Sequence, residues 1–220
     1  MLWKAGEGYF LLARHLERLE RSARYFGFDV ALPAVRWELE RLAARLDRTR
    51  QRVRLLVTRE GRITLEAEAL PAFDSAPPRI TVAPGPVDSS NPFLYHKTTN
   101  RNPYEAARAA YPGYDDVLLF NERGEVTEST IANLAVMHDG KLCTPPVRCG
   151  VLPGTLRADL LERGLLFERS MRVEEMQRSP RVFLLNSVRG LYRVQVDVAS
   201  GHGLSVSGSS RKVKEFIRDL

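Results

Sequence analysis

A chain of 220 residues with 44% hydrophobic content can bury a sizeable core, as one larger domain or two small lobes, and is not a disordered polymer. The formal net charge of +6 would suit an anionic partner, but bases and acids interleave through Arg14-His15-Leu16-Glu17-Arg18-Leu19-Glu20-Arg21, which reads as a solvated helix face. No basic run with interleaved aromatics, zinc spacing, signal peptide or membrane-length apolar run is present, so neither nucleic acid nor membrane is expected as a partner. Cys143 and Cys149 match no redox or metal motif and His15, His96, His138 and His202 are scattered. The expectation is a reduced, soluble, cytoplasmic protein without a metal.

In chain order, Gly6-Glu7-Gly8 marks a turn. Leu16, Leu19, Ala23 and Phe26 then recur at helical steps, predicting an amphipathic helix from Arg14 that Gly27 stops. Pro33 opens a second helix through Trp37, Leu39, Leu42 and Leu46. The period then changes. Val53, Leu55 and Val57 alternate with Arg54, Leu56 and Thr58, and Glu60-Gly61 turns into Ile63-Thr64-Leu65, a hairpin. Residues 71–92 are rich in Pro, Ser, Asp and Gly around one apolar stretch, Ile80-Thr81-Val82. The run from Pro84-Gly85-Pro86 to Asn91-Pro92 reads as a join between lobes. The division expected is a smaller N-terminal lobe over 1–86, a linker over 87–96 and a larger C-terminal lobe over 97–220.

Beyond the linker, residues 104–110 predict a short helix and residues 116–120 a buried strand, turned by Asn121-Glu122-Arg123-Gly124-Glu125. Residues 132–137 form the next strand, and Asp139-Gly140 leads into Leu142-Cys143-Thr144. Gly150-Val151-Leu152-Pro153-Gly154 enters a helix that Gly164 closes; a helix start presents unpaired N–H groups that can hold a phosphate, although an ordinary loop has the same look. Glu174-Glu175-Met176 begins a short helical piece, residues 182–185 and 192–196 are strands, and residues 212–220 form a helical tail.

Lysine is scarce: Lys4, Lys97, Lys141, Lys212 and Lys214 are all there is, and only Lys97 follows a run such as Phe93-Leu94-Tyr95. A lysine held in apolar surroundings can lose its proton near neutral pH, as an amine nucleophile or Schiff-base former must. The alternative is a stem lying over apolar surface.

Several blocks recur together: Phe10-Leu11-Leu12 with residues 14–19, Arg54 in its strand, and the lysine segment. They continue with Asn121-Glu122-Arg123-Gly124-Glu125-Val126-Thr127-Glu128-Ser129-Thr130-Ile131-Ala132-Asn133-Leu134, Leu152-Pro153-Gly154-Thr155-Leu156-Arg157 and Asn186-Ser187-Val188. In this order and spacing they resemble the class IV, fold-type IV pyridoxal-phosphate enzymes, which include branched-chain and D-amino-acid aminotransferases and 4-amino-4-deoxychorismate lyase. The resemblance implies a two-lobed α/β (α+β) fold of the D-amino-acid aminotransferase kind, with a β-barrel-like C-terminal lobe. It implies pyridoxal 5'-phosphate as cofactor, joined to Lys97 as a Schiff base, with Glu128 facing the pyridine nitrogen and Ile131 against the cofactor. Backbone N–H groups of Thr155, Leu156, Ser187 and Val188 would hold the phosphate, with Arg54 pairing to it.

Within the family, aminotransferases carry a tyrosine five residues after the lysine, and here that position is Asn102. Asn100-Arg101, Gly6-Glu7-Gly8-Tyr9 and residues 21–28 instead look like lyase domains fused behind aminodeoxychorismate synthase subunits. The resemblance thus implies a lyase giving 4-aminobenzoate and pyruvate on the folate pathway, with Arg101 as a substrate contact and a homodimer as the assembly. The alternatives are a class IV aminotransferase for branched-chain or D-amino acids and a cofactor-binding relative with little lyase activity. The last stands because Met1 falls in the middle of the family's first strand, which lends residues to the substrate side.

Overall fold

The computed structural model describes residues 1–47, 49–70, 76–179 and 181–197, so the expected helical tail lies outside the described residues. The chain divides into two compact units, Met1–Phe73 and Asp74–Leu220.

The first unit contains β1 (Leu2–Lys4), β2 (Gly8–Tyr9), α1 (Leu12–Phe26), α2 (Leu32–Ala43), β3 (Arg50–Val57) and β4 (Ile63–Ala69). Its antiparallel sheet runs β2-β1-β3-β4. The expected apolar stripe of α1 buries Leu16 and Ala23, and Gly27 ends the helix in the left-handed conformation at φ 67°. Helix α2 stops short of Leu46. Past Ala43 the N–H groups of Arg45 and Leu46 bond carbonyls three residues back, so the last turn tightens out of the α form. Trp3, Leu16, Val35, Leu39 and Val53 pack into one core. The opposite face of β3 carries Arg52 and Arg54, which pair with Glu68 and Glu66 directly across β4.

The second unit contains β5 (Arg79–Val82), α3 (Asn102–Ala109), β6 (Asp116–Phe120), β7 (Val126–Ser129), β8 (Asn133–His138) and β9 (Lys141–Thr144), then α4 (Thr155–Glu162), β10 (Phe167–Glu168), α5 (Val173–Gln177), β11 (Val182–Asn186) and β12 (Gly190–Val196). The strands order as β10-β9-β8-β11-β12-β5-β6-β7, and β7 also pairs with β8, so six of them close into a ring with β9 and β10 as an extension. Closure runs through the pair Glu128↔Asn133. Each strand of the ring contributes to one cluster: Ile80, Leu118, Val126, Leu134, Leu184 and Val194. That is the side-chain-filled interior of a small barrel. Alternation puts Val117 and Leu119 on the other face of β6, against Tyr104 and Ala107 of α3.

The expected lobe boundary at 86/87 is displaced. Strand β5 is hydrogen-bonded between β6 and β12, and Val87 bridges Asn121, so Ile80-Thr81-Val82 belongs to the second unit. Those partners lie far along the chain, and local Pro and Gly content cannot reveal them. Among the described residues no helix is long and apolar enough to cross a membrane.

Candidate active site

The apolar run before Lys97 does not enclose it. Pro92–Leu94 forms a 3-10 turn started by the Asn91 side chain, which accepts the Phe93 N–H at 3.0 Å. Leu94 is fully buried in the core under α3, whereas Lys97 itself is exposed. The turn thus commits its apolar side chains to packing and delivers the amine outward.

Glu128, the acid of the site, is 3% exposed near the end of β7. Its Oε1 accepts the Tyr104 hydroxyl at 2.8 Å and the Leu152 N–H at 3.1 Å, and its Oε2 accepts the Asn133 amide at 2.9 Å. Burial pushes the carboxyl up from 4.5 to about 7, while the Tyr104 and Leu152 hydrogen bonds, and then the charges of Lys97 and Arg101, pull it down. The lysine and the acid, 31 positions apart in sequence (128 − 97), are therefore electrostatic neighbours.

Asn133 joins this acid to the helix entry expected at Gly154. Its Nδ2 also donates to the Leu152 carbonyl at 2.9 Å. Its Oδ1 lies where a Cβ on Gly154 would come within 1.9 Å, so that position admits no side chain while Asn133 stays in place. Helix α4 then begins at Thr155, and its N-cap residue is Gly154, which has no side chain to offer as a cap. Thr155, Leu156 and Arg157 of its first turn are all buried, and Arg157 donates to the Pro145 carbonyl at 2.9 Å.

Residues 129–132 link β7 to β8 and are fixed from three sides. Asp116, at 3% exposure, accepts the Thr130 N–H at 3.2 Å and its hydroxyl through the same oxygen. Arg101 donates to the Thr130 carbonyl and stacks its guanidinium 4.7 Å from the Tyr104 ring centre. Asn186 donates to the Ile131 carbonyl at 3.4 Å, leaving the Ile131 side chain 52% exposed.

Of the residues named from sequence, Lys97, Arg101, Glu128, Ile131, Thr155, Leu156 and the Ser187-Val188 turn are connected in the second unit through these contacts. One expectation is revised. The Val188 N–H is already bonded to Asn186 Oδ1 at 3.0 Å, as is the Arg189 N–H at 2.9 Å, so this turn is organised by its own asparagine and Val188 offers no N–H to a phosphate. Arg54 lies on the first unit's sheet with 55% of its side chain exposed and Glu66 at 3.4 Å. Tyr104, Asn133 and Asp116 were given no role from sequence. Asn133 stands inside the block that carries Glu128 and could have been singled out there, whereas nothing local marks Tyr104.

A profile of the family described as amino-transferase class IV matches residues 1–196, and the chain belongs to that family of enzymes. It is 32% identical over 189 residues to a candidate aminodeoxychorismate lyase of Schizosaccharomyces pombe, covering 82% of this chain and 81% of that one. Among solved structures, a candidate amino-acid aminotransferase from Mesorhizobium loti is 36% identical with a TM-score of 0.83, over 90% of this chain and 97% of the other. The 4-amino-4-deoxychorismate lyase from Pseudomonas aeruginosa is 27% identical with a TM-score of 0.75, over 100% of this chain and 89% of the other. The fold is that of these fold-type IV enzymes.

Proposed function

We propose that the chain is a pyridoxal-phosphate-dependent lyase that converts 4-amino-4-deoxychorismate to 4-aminobenzoate and pyruvate. The observation that carries the reading is the exposed Lys97 amine within electrostatic reach of the buried, three-donor carboxylate of Glu128. The residues fit the cofactor: Lys97 to hold its aldehyde carbon, Glu128 to match a protonated ring nitrogen, and the N-terminal end of α4 at Thr155 and Leu156, entered through Gly154, to take its phosphate. Pyridoxal phosphate supplies an electron-accepting ring.

The chain's residues do the rest. Once the substrate amine has displaced it, Lys97 Nζ is a free base that takes the proton from the amine-bearing carbon. The bond between the neighbouring ring carbon and the enolpyruvyl oxygen breaks, and its electron pair leaves with the enolpyruvate. Lys97 returns the proton to the methylene carbon of that fragment, giving pyruvate, while the ring left behind becomes aromatic. Glu128, ionised, would keep a ring nitrogen protonated. Arg101, stacked on Tyr104 and bonded to the Thr130 carbonyl, is a fixed cation for a substrate carboxylate.

Lyase is preferred to aminotransferase because Asn102, the first residue of α3, occupies the position of the aminotransferase tyrosine, and because the similarity to the S. pombe protein extends over four-fifths of both chains. The 36% identity to the M. loti protein favours the second reading, amino-group transfer to a keto acid. Reconstituted protein is expected to release pyruvate from 4-amino-4-deoxychorismate and not to move the amino group of glutamate, branched-chain or D-amino acids; the opposite pattern would establish the aminotransferase. Lys97→Ala is expected to abolish both pyruvate release and the visible absorbance of the bound cofactor. A homodimer is proposed as the assembly, to be read by sedimentation.

A further inference from the structure

Tyr104 is 5% exposed, and its hydroxyl donates to Glu128 Oε1 at 2.8 Å. The assigned chemistry gives it no task. We propose that Tyr104 is a positioning residue whose hydroxyl, together with Asn133 and the Leu152 N–H, holds the Glu128 carboxylate in its ionised, acceptor-only form. The proposal rests on the reading that Glu128 faces the cofactor ring, and it gives the tyrosine control over how firmly that ring keeps its proton.

The donors around Glu128 favour its ionised form. An ionised carboxylate only accepts, and all three partners can donate: a phenol, a carboxamide and a backbone N–H. The orientation of Asn133 is fixed independently, because its Nδ2 also donates to the Leu152 carbonyl at 2.9 Å. A proton on Oε2 would meet the Asn133 N–H. One on Oε1 would meet the Leu152 N–H and force the phenol to turn round. The neutral acid therefore leaves at least one donor facing a hydrogen.

Against this stands burial, the dominant influence on Glu128, which favours the neutral form. The charged groups acting on it are Lys97 and Arg101, both on the segment leading into α3; β8 contributes the neutral Asn133, and residues 150–154 a backbone N–H. Tyr104 itself sits on α3 and packs with Val117 and Leu119 of β6, while the Arg101 guanidinium covers its ring at 4.7 Å. The phenol is thus held at a fixed angle. Without its hydroxyl, Oε1 keeps only the backbone donor at 3.1 Å, and burial then gains the upper hand.

The test uses cofactor-free protein and follows the carboxyl carbon of Glu128 by NMR across pH, identified by its loss in Glu128→Gln. The unmodified protein is expected to titrate with a midpoint near 7. Tyr104→Phe is expected to raise that midpoint by about one pH unit or more, roughly a tenfold gain in proton affinity. A folded Tyr104→Phe protein with an unmoved midpoint would overturn the proposal. In the unmodified protein, the carbon bearing the Tyr104 hydroxyl should shift with the same midpoint as the Glu128 carboxyl; a phenol signal indifferent to that titration overturns it without any variant. Neither measurement involves cofactor or substrate, so a protein that passes both yet releases no pyruvate counts against the lyase reading alone.

Discussion

Folding makes Glu128 a weaker acid, and stability inherits a pH dependence from it. Its folded-state midpoint is about 7 against an ordinary value of 4.5, so between those values the folded chain binds more protons than the unfolded one. Stability of the cofactor-free protein therefore falls as pH rises from about 4.5 to 7 and stays at the lower level above, a loss on the order of 3 kcal/mol for this fully buried group. The expected outcome is a urea midpoint that declines over that range and a flatter profile in Glu128→Gln; equal slopes in the two proteins would contradict it. Lys97 could be picked out by its rarity and its place among distant blocks, whereas the sequence left open whether Phe93-Leu94-Tyr95 surrounds it. Leu94 and Tyr95 pack into the core under α3, and local sequence cannot say which way a turn faces. The bond from Tyr104 to Glu128 crosses 24 positions, which no periodicity encodes.

At the scale of elements, the join between β7, β8 and α4 depends on a missing side chain. Gly154→Ala would set a Cβ 1.9 Å from Asn133 Oδ1, so either α4 recedes or Asn133 gives up Glu128. We expect a loss of at least ~2 kcal/mol in chemical denaturation, together with a displaced carboxyl midpoint for Glu128. Asp116 offers a second test on the turn at Thr130, where Asp116→Ala removes the acceptor of the Thr130 hydroxyl and one of the two acceptors of its N–H, the Val117 carbonyl at 3.1 Å remaining, and should cost about 1–3 kcal/mol. Asp116→Asn keeps Oδ1 as acceptor and should cost clearly less, both read from urea midpoints. Helices and long strands were legible because Leu16 and Ala23, or Leu118 and Leu134, carry the period of their element. The short β1, β2 and β10 were not, since two or three residues hold no period and exist only through pairing partners. The Leu152-Pro153-Gly154 block was legible as a helix entry, but the reason for its glycine lies on β8.

The molecule as a whole has separate cores in its two units, one around Val53 and Leu39 and another around Leu134 and Leu184. Both tryptophans, Trp3 and Trp37, belong to the first unit, so their fluorescence reports on that unit alone. Val53→Ala should lower the tryptophan-detected unfolding midpoint, and Leu184→Ala should lower the far-ultraviolet midpoint; each truncates a fully buried side chain and should cost about 1–4 kcal/mol. The two-unit plan could be anticipated from composition, but its boundary could not, because strand order is a property of the assembled sheet. The ring of six strands closes through Glu128 and Asn133, whose side chains are also bonded. Closure spares the six ring strands a free border, β10 remaining the edge of the sheet, and parting this rung would bare the borders of β7 and of the start of β8 together. Variants that loosen the acid's partners should therefore first betray themselves as lost soluble yield, through chains zipping to one another, before any rate is measured.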